Sequence, residues 1–298
     1  MEQVYLNGQY MPRAQALVPV EDRGLRFGDG VFETIYVRDT LPYLWDRHLR
    51  RLLEGLEACQ IRFENNNLRE AASGLIERNA MREGLLRITV TRGIGSRGYL
   101  PFPDLMGHKP TVIIETIPYQ PPSIEELDSL ELTIGLASYE KLSPKALPTR
   151  YKTMQGMNSI LARIEAERQG FFDALLLSRE GMVSESSAAN IFWCIGKTLY
   201  TPSLDSGCLA GIMRERIMEL SEYRVSQDKF KLRHLLRADG VFLCNSAYLV
   251  LPINKLSGYS TQWGASRKLA KIYRMLIERD IANEAENGKH LAIDLPSA

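Results

Sequence analysis

Apolar and polar residues alternate with period two at the start of the chain and fall into helical stripes soon after. QVYLNGQYM (3–11) is two short alternating runs around Asn7-Gly8, the signature of a β-hairpin. From Asp46, read as a helix cap, to about Ile61, the residues Leu49, Leu52, Leu53 and Leu56 share one stripe, and a second helix is expected over 68–82. LLRITVTR (85–92) and TVIIETI (111–117) are rich in β-branched residues and predict strands. The run Pro118-Tyr-Gln-Pro-Pro-Ser123 then breaks the pattern and suits an extended connector. It divides the chain into a smaller N-terminal domain (1–118), a linker (119–123) and a larger C-terminal domain (124–298).

Beyond the linker, LELTIGLAS (130–138), DALLLS (173–178), NIFWCI (190–195), KTLYT (197–201) and VFLCNS (241–246) read as strands. Helices are expected from Met157 to Gln169, closed by Gly170, from Leu209 to Tyr223, and from Ala265 to about Ala285. Mixed strands and helices in two domains give an α+β class.

Charge narrows the function. Lys+Arg 37 against Asp+Glu 36 leaves a net +1, so no global basic field points to nucleic acid. No apolar run approaches the roughly 20 residues of a membrane helix, and MEQVYLNGQYMPR has no apolar signal region, so a cytoplasmic protein without membrane contact is expected. Cys59, Cys194, Cys208 and Cys244 form no C-x-x-C pair, the four histidines form no H-E-x-x-H, and no metal is expected.

Thr91-Arg-Gly-Ile-Gly-Ser-Arg-Gly-Tyr-Leu-Pro101 contains G-x-G-x-x-G, the spacing of a dinucleotide loop. Such a loop must open a helix whose N-terminus binds the pyrophosphate, but Tyr99-Leu-Pro-Phe-Pro103 follows here. What remains is a glycine-rich loop carrying Arg92 and Arg97 with Tyr99, equipped to grip a carboxylate if it is not a plain surface loop.

Four further stretches stand out: Glu21-Asp-Arg-Gly-Leu-Arg-Phe-Gly-Asp-Gly-Val-Phe-Glu-Thr-Ile35, Arg150-Tyr-Lys-Thr-Met154, Val183-Ser-Glu-Ser-Ser-Ala-Ala-Asn-Ile191 and Leu209-Ala-Gly-Ile-Met-Arg214. A lysine can form a Schiff base with an aldehyde cofactor, a carboxylate can keep a pyridine nitrogen protonated, and a helix N-terminus can hold a phosphate. In this order and spacing, from EDRGLRFGDGVFETI through LPINKL, the chain resembles the fold-type IV pyridoxal-phosphate enzymes, the class IV aminotransferases. The resemblance implies a two-domain, D-amino acid transaminase-like fold with pyridoxal 5'-phosphate between the domains, usually as a homodimer. It implies that Lys152, in the C-terminal domain, holds the cofactor and moves protons, and that Glu185 bonds the pyridine nitrogen. Arg51 in HLRRL matches the phosphate-binding arginine. Gly211 opens the helix where the N–H groups of Ile212 and Met213 match phosphate donors, Ser246 and Ala247 fall on the loop closing the phosphate cup, and Leu209 packs on the ring.

Within the family the variable positions discriminate. Tyr99 stands where D-amino acid transaminase has histidine, Phe32 where it has tyrosine, and Thr34 where the branched-chain enzyme has glycine. The RGxGxRGY loop, ESSAANIFW, YTPSLDSGCLAGIMR and Thr34 resemble the aminodeoxychorismate lyases. That resemblance implies conversion of 4-amino-4-deoxychorismate to 4-aminobenzoate and pyruvate, a step of folate synthesis. Lys152 would remove the ring proton beside the amine, Lys152 or Thr34 would protonate the leaving group, and Arg97 with Tyr99 and Phe32 would meet the substrate. The alternative is an aminotransferase of branched-chain or D-amino acids or (R)-amines.

Overall fold

Residues 2–64, 67–101, 109–261 and 263–293 are described by a computed structural model of the chain, with side chains to residue 286. Its contacts define two units: Met1–Gln120 with Tyr151–Gly156, and Pro121–Arg150 with Met157–Ala298.

In the first unit Asn7 and Gly8 turn β1 (Gln3–Leu6) into β2 (Gln9–Pro12), both with positive φ. A short helix, α1 (Arg23–Phe27), precedes β3 (Gly30–Arg38) and β4 (Leu41–Pro42). Then come α2 (Trp45–Ala58), α3 (Leu68–Arg78), β5 (Glu83–Thr91) and β6 (Thr111–Pro118). Among the described residues these strands form a six-stranded sheet in the order β2-β1-β6-β5-β3-β4. Period two along β3 turns Val31, Ile35 and Val37 into a core shared with Leu52 and Leu56 of α2 and Leu75 and Ile76 of α3. Phe32 and Thr34, on the other face, are half-buried. The α2 stripe is where the leucine spacing placed it, but Asp46 is not the cap: Leu44 is, and Asp46 sits in the first turn, paired with Arg69.

The segment carrying Lys152 departs from expectation. It packs with the first unit instead of the C-terminal part of the chain. The reason is backbone pairing: Val31 and Thr153 form an antiparallel bridge, Phe32 N–H donates to Lys152 O at 2.9 Å, and Met154 N–H donates to Gly30 O at 3.0 Å.

The second unit contains β7 (Thr133–Leu136), α4 (Met157–Arg168), β8 (Asp173–Leu177), β9 (Val183–Ser186), β10 (Asn190–Ile195) and β11 (Thr198–Pro202). It continues with α5 (Ile212–Leu220), β12 (Arg224–Asp228), α6 (Leu232–Leu235), β13 (Gly240–Asn245), β14 (Leu249–Ile253), β15 (Lys255–Leu256) and α7 (Ser266–Ile293). The strands β12-β11-β10-β9-β8-β7-β15 follow one another in a sheet, with β13 pairing β10 and β14. Trp193, Ile191, Leu243, Val241 and Ile253 anchor its core. The strand β9 breaks the usual rule, since Ser184, Glu185 and Ser186 are all buried. No described helix is long and apolar enough to cross a membrane.

Candidate functional site

Each unit holds a buried polar cluster that bears on the candidate site. In the first, alternation along β3 splits three neighbours between two environments. Glu33 points to the α2 side, where Arg51 Nε and Nη2 donate to its two carboxylate oxygens at 2.8 and 2.7 Å and His48 Nδ1 lies 2.7 Å from Oε2. Burial pushes the Glu33 carboxyl up, but the Arg51 charge and the bonds from His48 and Arg51 outweigh it and hold it at about 2. Burial in turn holds His48 below its ordinary value, opposed by Glu33. On the other face of β3, Lys152 Nζ lies 4.5 Å from the centre of the Phe32 ring and Arg87 Cζ lies 4.3 Å from it. Thr34 follows Phe32 by two on this face and is registered with Arg87 of β5. A lysine amine, a hydroxyl-bearing residue and a guanidinium thus share one half-buried face.

In the second unit Glu185 is 6% exposed, and three donors converge on it. Lys141 Nζ reaches Oε1 at 2.5 Å, while Asn190 Nδ2 and Leu209 N–H reach Oε2 at 3.2 and 2.9 Å. A carboxylate offers about four lone-pair sites, so Oε1 keeps room for one further N–H donor. Leu209 is tied in twice, since its carbonyl accepts from Asn190 Nδ2 at 2.9 Å. Gly211 caps α5, which begins at Ile212 and not at Leu209. The first N–H groups of a helix have no intrahelical acceptor, so those of Ile212 and Met213 suit an anion. A Cβ at Gly211 would lie 2.0 Å from Asn190 Oδ1, so only glycine leaves this corner intact. Ser246 and Ala247 form the turn between β13 and β14, where Ala247 N–H donates to Asn245 Oδ1 at 2.9 Å.

The glycine-rich loop after β5 opens no helix through residue 101. Gly93 has a φ of 83°, and a Cβ there would lie 2.0 Å from Lys109 O, so this glycine serves the backbone. Arg92 is buried and grips Asp29, with Nε 2.8 Å from Oδ2 and Nη2 3.0 Å from Oδ1. Arg97 and Tyr99 are exposed, Tyr99 at 88%. The two arginines of the motif therefore do different jobs.

Sequence reasoning missed Lys141 and Arg87. Lys141 sits in the turn-rich stretch SYEKLSPKALP, which carries no periodicity to flag it. Arg87 looks like any half-buried strand charge until its register with Thr34 is known. No group of three or more His, Cys, Asp or Glu among the described residues could hold a metal ion.

Residues 30–256 match the family described as amino-transferase class IV. The aminodeoxychorismate lyase of Bacillus subtilis is 28% identical over 288 residues, covering 93% of this chain and 96% of that protein. The D-alanine aminotransferase of Bacillus licheniformis is 27% identical over 286 residues, covering 94% and 98%. The crystal structure of 4-amino-4-deoxychorismate lyase from Pseudomonas aeruginosa superposes with a TM-score of 0.78 at 28% identity, covering 90% of this chain and 96% of that one.

Proposed function

The chain belongs to the class IV aminotransferase family, whose members depend on pyridoxal 5'-phosphate, and from that premise we propose that it is an aminodeoxychorismate lyase, releasing 4-aminobenzoate and pyruvate from 4-amino-4-deoxychorismate. The observation that carries the lyase reading is the face of β3, where Thr34 stands two residues beyond the Phe32 ring against which Lys152 lies. A hydroxyl on the same face of β3 as the lysine would give the leaving group a proton donor that amino transfer does not need. The lyase from Bacillus subtilis, matched over nearly the whole of both chains, supports the same reading.

The donor set fits the cofactor. The remaining acceptor site on Glu185 Oε1 suits a protonated ring nitrogen, and the start of α5 with its obligatory Gly211 suits a phosphate. When bound, pyridoxal phosphate supplies an aldehyde for a lysine amine and a pyridinium that takes up electrons. In our reading Lys152 holds it and removes the proton from the substrate carbon bearing the amine. Glu185 receives the ring N–H, and Leu209 packs on the ring. Ile212 and Met213 N–H, Arg51 and the turn at Ser246 and Ala247 bind the phosphate. Thr34 or Lys152 then protonates the departing enolpyruvyl group, whose ether bond to the ring breaks as the ring becomes aromatic. Carbon, hydrogen and charge balance without an oxidant or an amino acceptor. The substrate carries two carboxylates, and Arg97, with Tyr99, and Arg87 are the cations we assign to them.

Gly211→Ala is expected to weaken cofactor binding at least about tenfold, because the added methyl displaces Asn190 from Glu185 and crowds the start of α5. Titration of the apoprotein with pyridoxal phosphate, followed by absorbance, measures it. We further propose a homodimer, to be checked by sedimentation equilibrium. The function itself is tested by supplying 4-amino-4-deoxychorismate with no keto acid. Sustained turnover supports the lyase; no products, with amino transfer once a keto acid and a branched-chain or D-amino acid or (R)-amine are supplied, identifies the aminotransferase instead.

A further inference from the structure

Two glycine-rich stretches far apart in sequence, EDRGLRFGDG and TRGIGSRGY, form one device. Arg23 is 3% exposed, and its guanidinium is spent on the second stretch. Nη1 donates to Gly98 O at 2.8 Å and to Ser96 O at 3.3 Å, and Nη2 donates to Tyr99 O at 2.9 Å. Nε is held by Asp29 Oδ2 at 2.8 Å, the carboxylate that Arg92 also grips, and Arg92 in turn donates to the carbonyls of Cys59 and Gln60. Burial pushes Asp29 up, and the two arginines outweigh it, leaving the group below its ordinary value. The backbone adds Arg23 N–H to Gly93 O at 2.9 Å and a bridge between Asp22 and Ile94. Asp22 is fully buried and takes Gly24 N–H, Thr91 Oγ1 and Thr111 Oγ1 at 2.7, 2.9 and 2.7 Å, locking α1 to the roots of the loop. The Arg23 cation also lies 4.7 Å from the Phe27 ring centre, and that ring meets Tyr99 at 5.6 Å.

We infer that Arg23 is a positioning residue: by drawing the carbonyls of Ser96, Gly98 and Tyr99 inward it fixes the loop and presents Arg97 and Tyr99 outward to the substrate. This rests on the reading of Arg97 as a carboxylate grip. The physical reason is entropy. An exposed glycine-rich loop loses backbone freedom when its side chains engage a ligand, and a loop already held by three inward bonds loses less. Only arginine has the planar fork to serve a carboxylate and three carbonyls together; an ammonium is a single point. Of the motif's glycines, Gly98 gives its carbonyl to a guanidinium from within the protein, and Gly93 gives its own to the Arg23 backbone N–H.

The test uses the full-length, cofactor-loaded protein as wild type, Arg23→Gln, Arg23→Lys, Arg97→Ala and the Arg23→Gln/Arg97→Ala double variant. KM and kcat are measured with 4-amino-4-deoxychorismate or, should the chain transfer amino groups, with a carboxylate-bearing amino donor. Tryptic cleavage of the exposed Arg97–Gly98 bond, followed by fragment mass, reads loop order without any turnover. Arg23→Gln is expected to raise KM about tenfold with kcat within about twofold, and to speed that cleavage about fivefold or more. Arg23→Lys falls between it and wild type on both measures. Adding Arg23→Gln to Arg97→Ala raises KM by less than about twofold more, because the grip being positioned is already gone. A KM unchanged in Arg23→Gln while Arg97→Ala raises it overturns this inference alone. Arg97→Ala with unchanged KM overturns the grip reading and, with it, the inference. If Arg23→Gln does not fold, Arg23→Lys decides, and wild-type KM and cleavage rates in it contradict the role.

Discussion

Lys152→Ala is expected to lower turnover by at least about 10³-fold while leaving the fold in place, because in the proposed mechanism the side chain does chemistry, whereas the backbone does the packing. Lys152 O accepts from Phe32 N–H, Thr153 bridges Val31, and Met154 N–H reaches Gly30 O. None of these bonds involves the amine, so truncation leaves the segment seated on β3. What disappears is the one group placed against the Phe32 ring that can both bond an aldehyde and carry a proton. Product formation, far-ultraviolet circular dichroism and the visible absorbance of added pyridoxal phosphate separate the cases. Native dichroism with lost turnover and an altered cofactor spectrum is the expected combination. Full activity would remove Lys152 from the mechanism.

The second large effect is on stability. Glu33 is 1% exposed and is held by Arg51 and His48, so Glu33→Ala removes the carboxylate of a buried ion pair. Breaking such a pair costs about 3–5 kcal/mol, a fall in midpoint of about 10 °C or more for a domain of this size. The same carboxylate makes the fold acid-sensitive. Its pKa is lowered from the ordinary 4.5 to about 2 in the folded protein, so the folded state binds fewer protons there. The contribution is complete above about pH 4.5 and is lost as pH falls from there through about 2; a shift of that size is worth about 3 kcal/mol. Urea midpoints measured between pH 6 and pH 2.5 should therefore fall more steeply in wild type than in Glu33→Ala. Parallel curves would show that Glu33 is not the group responsible.

Much of this was readable from the residues. The hairpin at Asn7-Gly8, the leucine stripe of α2 and the β-branched strands follow from local periodicity, which does not depend on distant contacts. The family and its cofactor were readable because Lys152, Glu185 and the Gly211 helix start stand in an order and spacing that a known family shares. Other features could not be read, and for one reason: they are tertiary. Lys152 follows the linker in sequence, yet a few backbone bonds return its segment to β3. Lys141 meets Glu185 from a stretch with no periodic element, 44 residues away. Arg23 looked like one charge among several in EDRGLRFGDG, and its three carbonyl acceptors lie more than 70 residues along the chain. The cap of α2 fell on Leu44 with positive φ, a conformation that the residue type does not announce.

The G-x-G-x-x-G stretch shows why context decides a motif. Spacing alone fits a phosphate loop, whereas the residues that surround it supply no helix start and turn its carbonyls toward Arg23. A phosphate loop needs the opposite polarity, N–H groups pointing at the ligand. In the second unit the start of α5 has that polarity.

The most direct test of the account is a product balance. The purified protein, loaded with pyridoxal phosphate, is given 4-amino-4-deoxychorismate and no keto acid, and 4-aminobenzoate and pyruvate are measured in the same vessel. Equal amounts of both are expected, sustained over many turnovers and absent from Lys152→Ala. Absence of both products from the wild-type protein, with amino transfer appearing once a keto acid is added, would contradict the account.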